Sequence, residues 1–126
     1  MKRIIITFIV LSMLIIYNIC SEDYLIDFCD MTYETLEICG NNIKKEAYTE
    51  AEATADKLLN KWEKRYLLLS IIIGDSDISS SYGKIVAISR CLKDMLYDDC
   101  LKLIRECQGN IREISDENRL NFENIL

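Results

Sequence analysis

The stretch KRYLLLSIIIGDSDISSSYGKI, residues 64–85, decides the fold. Its residues 67–73 carry almost no polarity, so a buried strand, a second membrane segment and the end of a helix are the competing interpretations. Seven apolar residues are too few to cross a bilayer. The isoleucines favour a strand, but the run continues the helical phase of Trp62 and Tyr66. We therefore predict a helix end that enters the core on all sides.

The residues after this run predict a tight turn into another helix. Gly74 suits the left-handed position that follows a helix end. The side chains of Asp75, Ser76 and Asp77 can accept hydrogen bonds from the free N–H groups of the next helix. The stretch thus joins two helices, and no strand is predicted.

The composition favours long helices. The chain has 126 residues, enough for one small domain, with no proline and only four glycines. Without proline, nothing breaks a helix by steric clash and a missing donor. Histidine is absent, which removes most catalytic triads and most zinc sites. The net charge of −6 argues against a general nucleic-acid surface.

The N-terminus predicts a signal anchor. An uncharged run from Ile4 to Cys20 follows Lys2 and Arg3, and its 17 residues reach roughly 25 Å as a helix. This length is at the low end for crossing a membrane. A cleaved signal peptide is the alternative, although the small-residue cleavage pattern is poor. A soluble core helix would need a polar face, which the run lacks.

The charges around this run set its orientation. The cations precede it and Glu22 and Asp23 follow it, so the N-terminus is expected in the cytoplasm and the rest of the chain outside. Residues 1–20 would be the transmembrane helix and 21–126 an extracytoplasmic helical domain. Without the two leading cations that domain has 13 basic and 21 acidic residues, which disfavours anionic lipid as a partner through bulk charge.

The apolar spacing after residue 20 predicts an antiparallel bundle of about four helices, arranged as two hairpins. The first helix ends at a turn of Gly40, Asn41 and Asn42, and the second runs from Ile43 to residue 73. The third covers 78–97, with Ile78, Tyr82, Ile85, Ile88, Leu92 and Met95 or Leu96 inward. The fourth starts after a turn at Asp98 and Asp99 and carries Leu101, Ile104, Cys107, Ile111 and Ile114. Ser115 and Asp116 cap an apolar tail that packs back onto the bundle.

An internal offset of 49 residues relates two stripes of the sequence. Ala51, Ala55, Leu58 and Trp62 share their spacing with Cys100, Ile104, Cys107 and Ile111. Because 49 is a multiple of seven, any two heptad-like stripes would match at this offset. The predicted turns at Gly40 and Asp98 do not superpose under it, so a degenerate pair of helical hairpins stays an open alternative.

Two segments resemble a known family: LLNKWEKRYLLLSIIIGDSDISSSYGKIVAISRCLKDMLYDD and the terminal LNFENIL. They are similar to domain-of-unknown-function family 4363, small membrane-anchored proteins of clostridia and relatives. The shared features are a basic N-terminus with one span, Lys-Trp-Glu around Trp62, a basic-Leu pair near Arg90 and Leu92, and a final Glu-Asn-Ile-Leu. Asp75 stands where the family tends to have histidine. The resemblance implies no activity.

No catalytic, cofactor or metal site is predicted. The cysteines at 29, 39, 91, 100 and 107 fall on or beside apolar stripes, which is typical of buried thiols. Disulfides outside the cell are the alternative. Trp62 is interpreted as the core anchor of its helix.

Three functions stay open. The first is a single-span cell-membrane protein, held through residues 4–20, that is not an enzyme and whose outer domain binds a membrane or envelope protein, with no nucleic acid or small-molecule ligand evident. The second is a secreted helical binding module after signal cleavage. The third is a carboxylate-dependent enzyme using Asp75 and Asp77, which would need both to meet in a pocket.

Overall fold

A computed structural model describes the backbone of residues 1–73 and 75–125; side chains are described except at 17–23, 72–75 and 118–126. Within these residues the chain forms four α-helices and no strand, which confirms the all-α prediction. The helices are α1 (Lys2–Lys44), α2 (Tyr48–Ile73), α3 (Asp75–Lys93) and α4 (Tyr97–Ile125).

The four helices form a closed ring in which each helix packs on its two chain neighbours and α4 closes onto α1. Successive helices are joined by short connections and therefore run antiparallel. The core consists of the inward stripe of each helix: Leu25, Phe28, Cys29, Leu36, Cys39 and Ile43 from α1; Ala51, Ala55, Leu58, Trp62 and Leu69 from α2; Ile78, Ile85, Ile88 and Leu92 from α3; and Cys100, Ile104, Cys107, Ile111 and Ile114 from α4. The predicted bundle is thus present.

The N-terminal half of α1 extends beyond this bundle, because the large apolar side chains from Ile4 to Ile16 are exposed and Leu25 is the first buried residue among the described side chains. The helix passes residues 20 and 21 without a break. Among the residues that the structure describes, no helix meets the length and apolarity needed to cross a membrane. Residues 17–20 of the predicted span lie outside the described side chains.

The first predicted turn is wrong. α1 continues through Gly40 and ends at Lys44, and Ile43 is its last buried residue and not the start of α2. A Cβ at Gly40 would lie 3.8 Å from the Ile104 side chain of α4, so this glycine is a packing position against a neighbouring helix. Tertiary packing outweighs the roughly 1 kcal/mol that glycine costs inside a helix.

The boundaries of the later helices also differ from the prediction. α3 ends at Lys93, and Met95 and Leu96 are exposed in the turn instead of inward. Tyr82, predicted inward, is half-buried. α4 continues through Gly109 and Asn110, and Ser115 and Asp116 lie inside it instead of capping a separate tail. The predicted packing of the final residues falls outside the described side chains.

The buried end predicted for residues 67–73 is wrong as well. Of its described side chains, which are those of 67–71, only Leu69 is buried, whereas Leu67 is 75% exposed, Leu68 41% and Ile71 68%. Helical periodicity gives the cause, since it turns only one stripe of any helix toward a neighbour. Gly74, the predicted turn residue, lies outside the described residues.

The two hairpins repeat at an offset of 49. Glu46 has φ 62° and Met95 has φ 60°, and each lies in a three-residue connection between helices. In the first, Ala47 N donates to Asn42 O (2.8 Å), and in the second Leu96 N donates to Cys91 O (2.9 Å). The predicted turns did not superpose under this offset and left the hairpin pair an open alternative, whereas the turns of the structure do superpose under it.

Contacts between the hairpins follow the same relation. Tyr48 and Tyr97, at equivalent positions, stack with ring centroids 3.8 Å apart and planes at 7°. Tyr33 and Tyr82 are also equivalent, and each bonds through its hydroxyl: Arg112 Nη2 donates to Tyr33 Oη (2.7 Å), and Tyr82 Oη donates to Glu63 Oε1 (3.2 Å). The bundle is therefore approximately two-fold symmetric, with its axis passing between Tyr48 and Tyr97.

Candidate functional site

The N-terminal half of α1 presents an apolar surface. Every large apolar side chain from Ile4 to Ile16 is at least 49% exposed, and the highest exposure in this range is 75%, at Ile4. They surround the helix and leave no continuous polar face; they are Ile4, Ile5, Ile6, Phe8, Ile9, Val10, Leu11, Met13, Leu14, Ile15 and Ile16. A surface of this extent marks a contact with another apolar phase or partner.

A second exposed apolar surface lies at the end of α2 and consists of Leu67, Leu68 and Ile71. We call it the α2 tip. One to three turns earlier, on the same outward side of the helix, lie the exposed cations Lys61 and Lys64, while Arg65 lies toward α1 and the exposed Glu63 lies toward α3. The outer side of α2 therefore changes from basic to apolar toward its C-terminus.

The α2 tip lies at the end of the bundle from which the apolar half of α1 emerges. Trp62 Nε1 donates to Thr32 Oγ1 (3.1 Å), and three residues later the Arg65 guanidinium lies 5.5 Å from the centroid of the Tyr24 ring. Because the helices are antiparallel, Ile71 lies level with the part of α1 that precedes Tyr24. The two apolar surfaces are therefore at the same end.

An open groove of about 300 Å³ lies between α1 and α4. Among the described side chains, Arg112 is its one basic lining group, and it lies 4.9 Å over the Tyr33 ring. The other lining residues are the acids Asp30, Glu34 and Asp116, the small residues Cys29 and Ser115, and the apolar Ile111. Beside it, Gln108 Nε2 donates to Glu37 Oε2 (2.9 Å) and to Tyr33 O (3.3 Å), which fixes α4 on α1.

A second groove, of about 210 Å³, lies between α3 and α4. Its described lining residues are Asp77, Ser80, Ser81, Asn110, Glu113, Ile114 and Glu117, and none of them is basic. The hydroxyl of Ser81 is buried and has no hydrogen-bond partner among the side chains that the structure describes. The groove thus combines carboxylates at its rim with a buried hydroxyl at its base.

The grooves lie beside α4 because α4 carries smaller side chains than α2. Trp62 and Tyr66 of α2 fill the seams with their neighbours, with Tyr66 meeting Tyr82 edge to face at 5.1 Å. The equivalent residues of α4 are Ile111 and Ser115. The two-fold relation is therefore broken where the grooves open. Acidic surface borders α4 on its α3 side, whereas its α1 side combines carboxylates with Arg105 and Arg112.

Of the two aspartates in the predicted enzyme alternative, the structure describes the side chain of Asp77 alone. Asp77 is exposed at the rim of the α3–α4 groove, and the side chain of Asp75 lies outside the described residues. Among the described residues there is no group of three or more His, Cys, Asp or Glu side chains arranged to hold a metal ion.

The cysteines are core residues, as predicted. Cys29, Cys39, Cys100 and Cys107 are buried, Cys91 is half-buried, and Cys20 is outside the described side chains. Burial raises the pKa of Cys39 to about 11 and that of Cys107 to about 12. Burial, with Cys91 nearby, raises the pKa of Cys100 to about 12. Such thiols are poor nucleophiles, because the thiolate is the reactive form.

Sequence reasoning identified the first apolar surface and the core role of Trp62, which is 1% exposed and confirmed as the anchor of α2. It missed the α2 tip and both grooves. The change from Lys61 and Lys64 to Leu67, Leu68 and Ile71 on one helix side was the available signal for the tip. The grooves had none, since they depend on which α4 residues face which neighbour.

These features define a class: a closed, approximately two-fold symmetric four-helix bundle carried on a long helix with an exposed apolar half. Residues 19–125 match the family model described as Domain of unknown function (DUF4363). The match covers most of the chain, and the protein belongs to this family, as the resemblance indicated. No curated protein and no solved structure matches.

Proposed function

We propose that the protein is a single-span membrane protein whose bundle is a non-catalytic binding module for another protein of the membrane or envelope. The apolar half of α1 is the anchor, with Lys2 and Arg3 on the cytoplasmic side. The bundle then lies outside the cytoplasm.

The observation that carries the proposal is the exposed apolar half of α1. Removing a large apolar side chain from water is worth about 1.5–3 kcal/mol, so leaving eleven of them in water is a large cost. A helix that is apolar all round is typical of a membrane phase or a protein interior. The flanking charges, cations before the run and acids after it, favour lipid with this orientation.

The two grooves beside α4 support partner binding. Both are open to solvent and rimmed by carboxylates. The α3–α4 groove, with Asp77, Glu113 and Glu117, forms the acidic flank of α4, whereas Arg105 and Arg112 lie on the α1 side. A partner that presents basic side chains to this flank would gain on-rate and specificity from charge complementarity. The proposed partner surface therefore consists of α4 with the adjoining edges of α1 and α3.

Flotation with liposomes tests the anchor. In the variant Phe8→Lys, Leu11→Lys, each lysine near the middle of a span costs about 3 kcal/mol, so we expect the full chain to stay at the bottom of the gradient. The matched control is Ile38→Lys, which changes an exposed apolar residue of the same helix within the bundle and should float like wild type. Equal flotation of the three chains would contradict the proposal.

Site-specific photo-cross-linking tests the partner surface. A photoreactive residue at Asn110, in the α3–α4 groove, should give a discrete adduct with another protein in native membranes. The control position is Lys57, exposed on α2 away from both grooves. Adducts from both positions alike, or from neither, would count against α4 as the binding surface.

A further inference from the structure

The geometry points to a second membrane contact: the α2 tip (Leu67, Leu68 and Ile71) lies in the interfacial layer of the membrane that holds α1. This inference rests on the proposed anchor and goes beyond it, because an anchor alone leaves the bundle free to tilt. A contact at a second helix would fix which side of the bundle faces lipid and which faces a partner.

The side chains of the α2 tip are exposed. Leu67 and Ile71 are 75% and 68% exposed, similar to Phe8 at 71% within the proposed anchor. The three side chains are adjacent on the outer side of α2 and form one patch. Their neighbour Leu69 is fully buried, so the patch is not a frayed end but the outward side of a packed helix.

The α2 tip lies close to the point where the apolar half of α1 leaves the bundle. The Arg65 guanidinium lies over the rings of both Tyr24 and Phe28, at 5.5 and 5.3 Å, and so ties α2 to the first bundle turns of α1. Ile71 lies six residues, about 9 Å, further toward the emerging anchor. If the anchor enters the membrane near residue 20, the α2 tip is at the membrane surface.

The cations beside the α2 tip favour lipid as the phase that covers it. Lys61 and Lys64 precede the tip on the same side of α2, and Lys64 lies about 10 Å from Ile71 along the helix axis. Cations one or two turns from an apolar patch are typical of helices that contact the interface, where apolar groups enter the acyl boundary and cations meet anionic headgroups.

The other flanks of the bundle make this contact one-sided. Carboxylates rim both grooves beside α4, and Asp77 lies at the start of α3. The carboxylates of the α3–α4 groove are repelled by an anionic surface, whereas Lys61 and Lys64 are attracted, although the domain as a whole is acidic. Glu63, between these lysines in the sequence, lies toward α3, where it accepts a hydrogen bond from Tyr82. The bundle therefore leans on its α2 side and turns the acidic flank of α4 away from lipid.

Depth-dependent quenching tests the inference on the full chain. Tryptophan is placed at the tip by Ile71→Trp, and in the matched control by Leu96→Trp, which is exposed in the α3–α4 turn roughly 35 Å away at the other end of the bundle. Each chain is reconstituted in phosphatidylcholine–phosphatidylglycerol vesicles with and without brominated acyl chains. The emission of wild type, which comes from buried Trp62, is subtracted.

We expect the added emission of Ile71→Trp to shift to shorter wavelength and to lose most of its intensity in brominated vesicles, while that of Leu96→Trp stays unquenched. A second tip variant, Leu67→Trp, should behave like the first and guards against misfolding of one chain. The double variant Lys61→Glu, Lys64→Glu should reduce the quenching in anionic vesicles.

The outcomes separate the inference from the proposed function. If the chain floats but neither tip tryptophan is quenched, the lipid contact is overturned and the anchor stands; the patch would then face a protein or a second copy. If the chain does not float, both are overturned. Equal quenching at positions 71 and 96 would also overturn the inference, since it would show no preferred end.

Discussion

Thr32 and Ser81 occupy equivalent positions in the two hairpins, and both are fully buried. The Thr32 hydroxyl accepts a hydrogen bond from Trp62 Nε1, whereas the Ser81 hydroxyl has no partner among the described side chains, because isoleucine replaces tryptophan at the position equivalent to Trp62. An unsatisfied buried hydroxyl costs free energy, and a satisfied one contributes to stability. The pair therefore offers a test in which position is matched and only the partner differs.

We predict that Thr32→Val lowers the free energy of unfolding by about 1–3 kcal/mol, because it leaves the buried Trp62 N–H without an acceptor. Ser81→Ala should be neutral or stabilising. Urea denaturation of the full chain in detergent measures both. A loss above about 1 kcal/mol for Ser81→Ala would show that the hydroxyl has a partner, such as a water in the groove.

The buried thiols predict a loss of stability at high pH. Their pKa is raised from 9.0 to about 11 at Cys39 and to about 12 at Cys100 and Cys107. Between these values the folded chain keeps protons that the unfolded chain releases, so the free energy of unfolding falls as pH rises from about 9 to about 11. Each thiol contributes a slope of about 1.4 kcal/mol per pH unit.

Denaturation midpoints at several pH values measure this slope. Tyrosines and lysines titrate in the same range, so the informative comparison is with Cys107→Ala, which should have a shallower slope even though its absolute stability is lower. Identical slopes in the two chains would contradict the assignment of a raised pKa to Cys107.

At the scale of elements, sequence periodicity predicted that helices form and that α2 ends at residue 73, but it misplaced the ends of α1 and α3. The residues expected to stop α1, at Gly40 to Asn42, lie inside it, and the actual turn places a glutamate at φ 62°. Glycine was the residue used to predict a turn, yet neither the α1–α2 turn nor the α3–α4 turn contains glycine. Gly40 instead lies against α4, which only the tertiary arrangement determines.

The positive φ values of Glu46 and Met95 predict how glycine at these two positions changes stability. Glu46→Gly and Met95→Gly should each raise the free energy of unfolding by about 0.5–1 kcal/mol. The left-handed conformation costs a residue with a Cβ about 1–2 kcal/mol and costs glycine much less. The greater entropy of glycine in the unfolded chain offsets part of this gain. Lys44→Gly, within the last turn of α1, is the control and should destabilise by up to about 1 kcal/mol. Chemical denaturation measures the free energy of unfolding of all three variants. A loss of stability at both turn positions would contradict this account.

At the scale of the whole molecule, the all-α class, the helix number and the core stripes followed from the sequence, since each depends on local periodicity. The 49-residue relation between hairpins was visible in the spacing of Ala51, Ala55, Leu58 and Trp62, but the misplaced turns left it an open alternative. The grooves and the α2 tip depend on which side of each helix meets a neighbour. They could not be derived from one helix at a time.

The two-fold relation also explains how one bundle acquires two different flanks. Large residues at Trp62 and Tyr66 close the seams of α2, and Ile111 and Ser115 leave those of α4 open. The outer side of α2 is basic and then apolar, and the α3 side of α4 is acidic. The same hairpin framework thus presents one side suited to lipid and one suited to a partner.

The most direct test of the central claim, anchoring through an uncleaved N-terminus, is the intact mass of the protein in membranes washed with alkaline carbonate. The account predicts the full chain of 126 residues and 14.7 kDa in the washed membranes. Protease added outside intact cells should then remove the bundle and leave an N-terminal fragment in the membrane. A chain that lacks residues 1–20, recovered in the wash or the medium, would contradict the account and establish the secreted form.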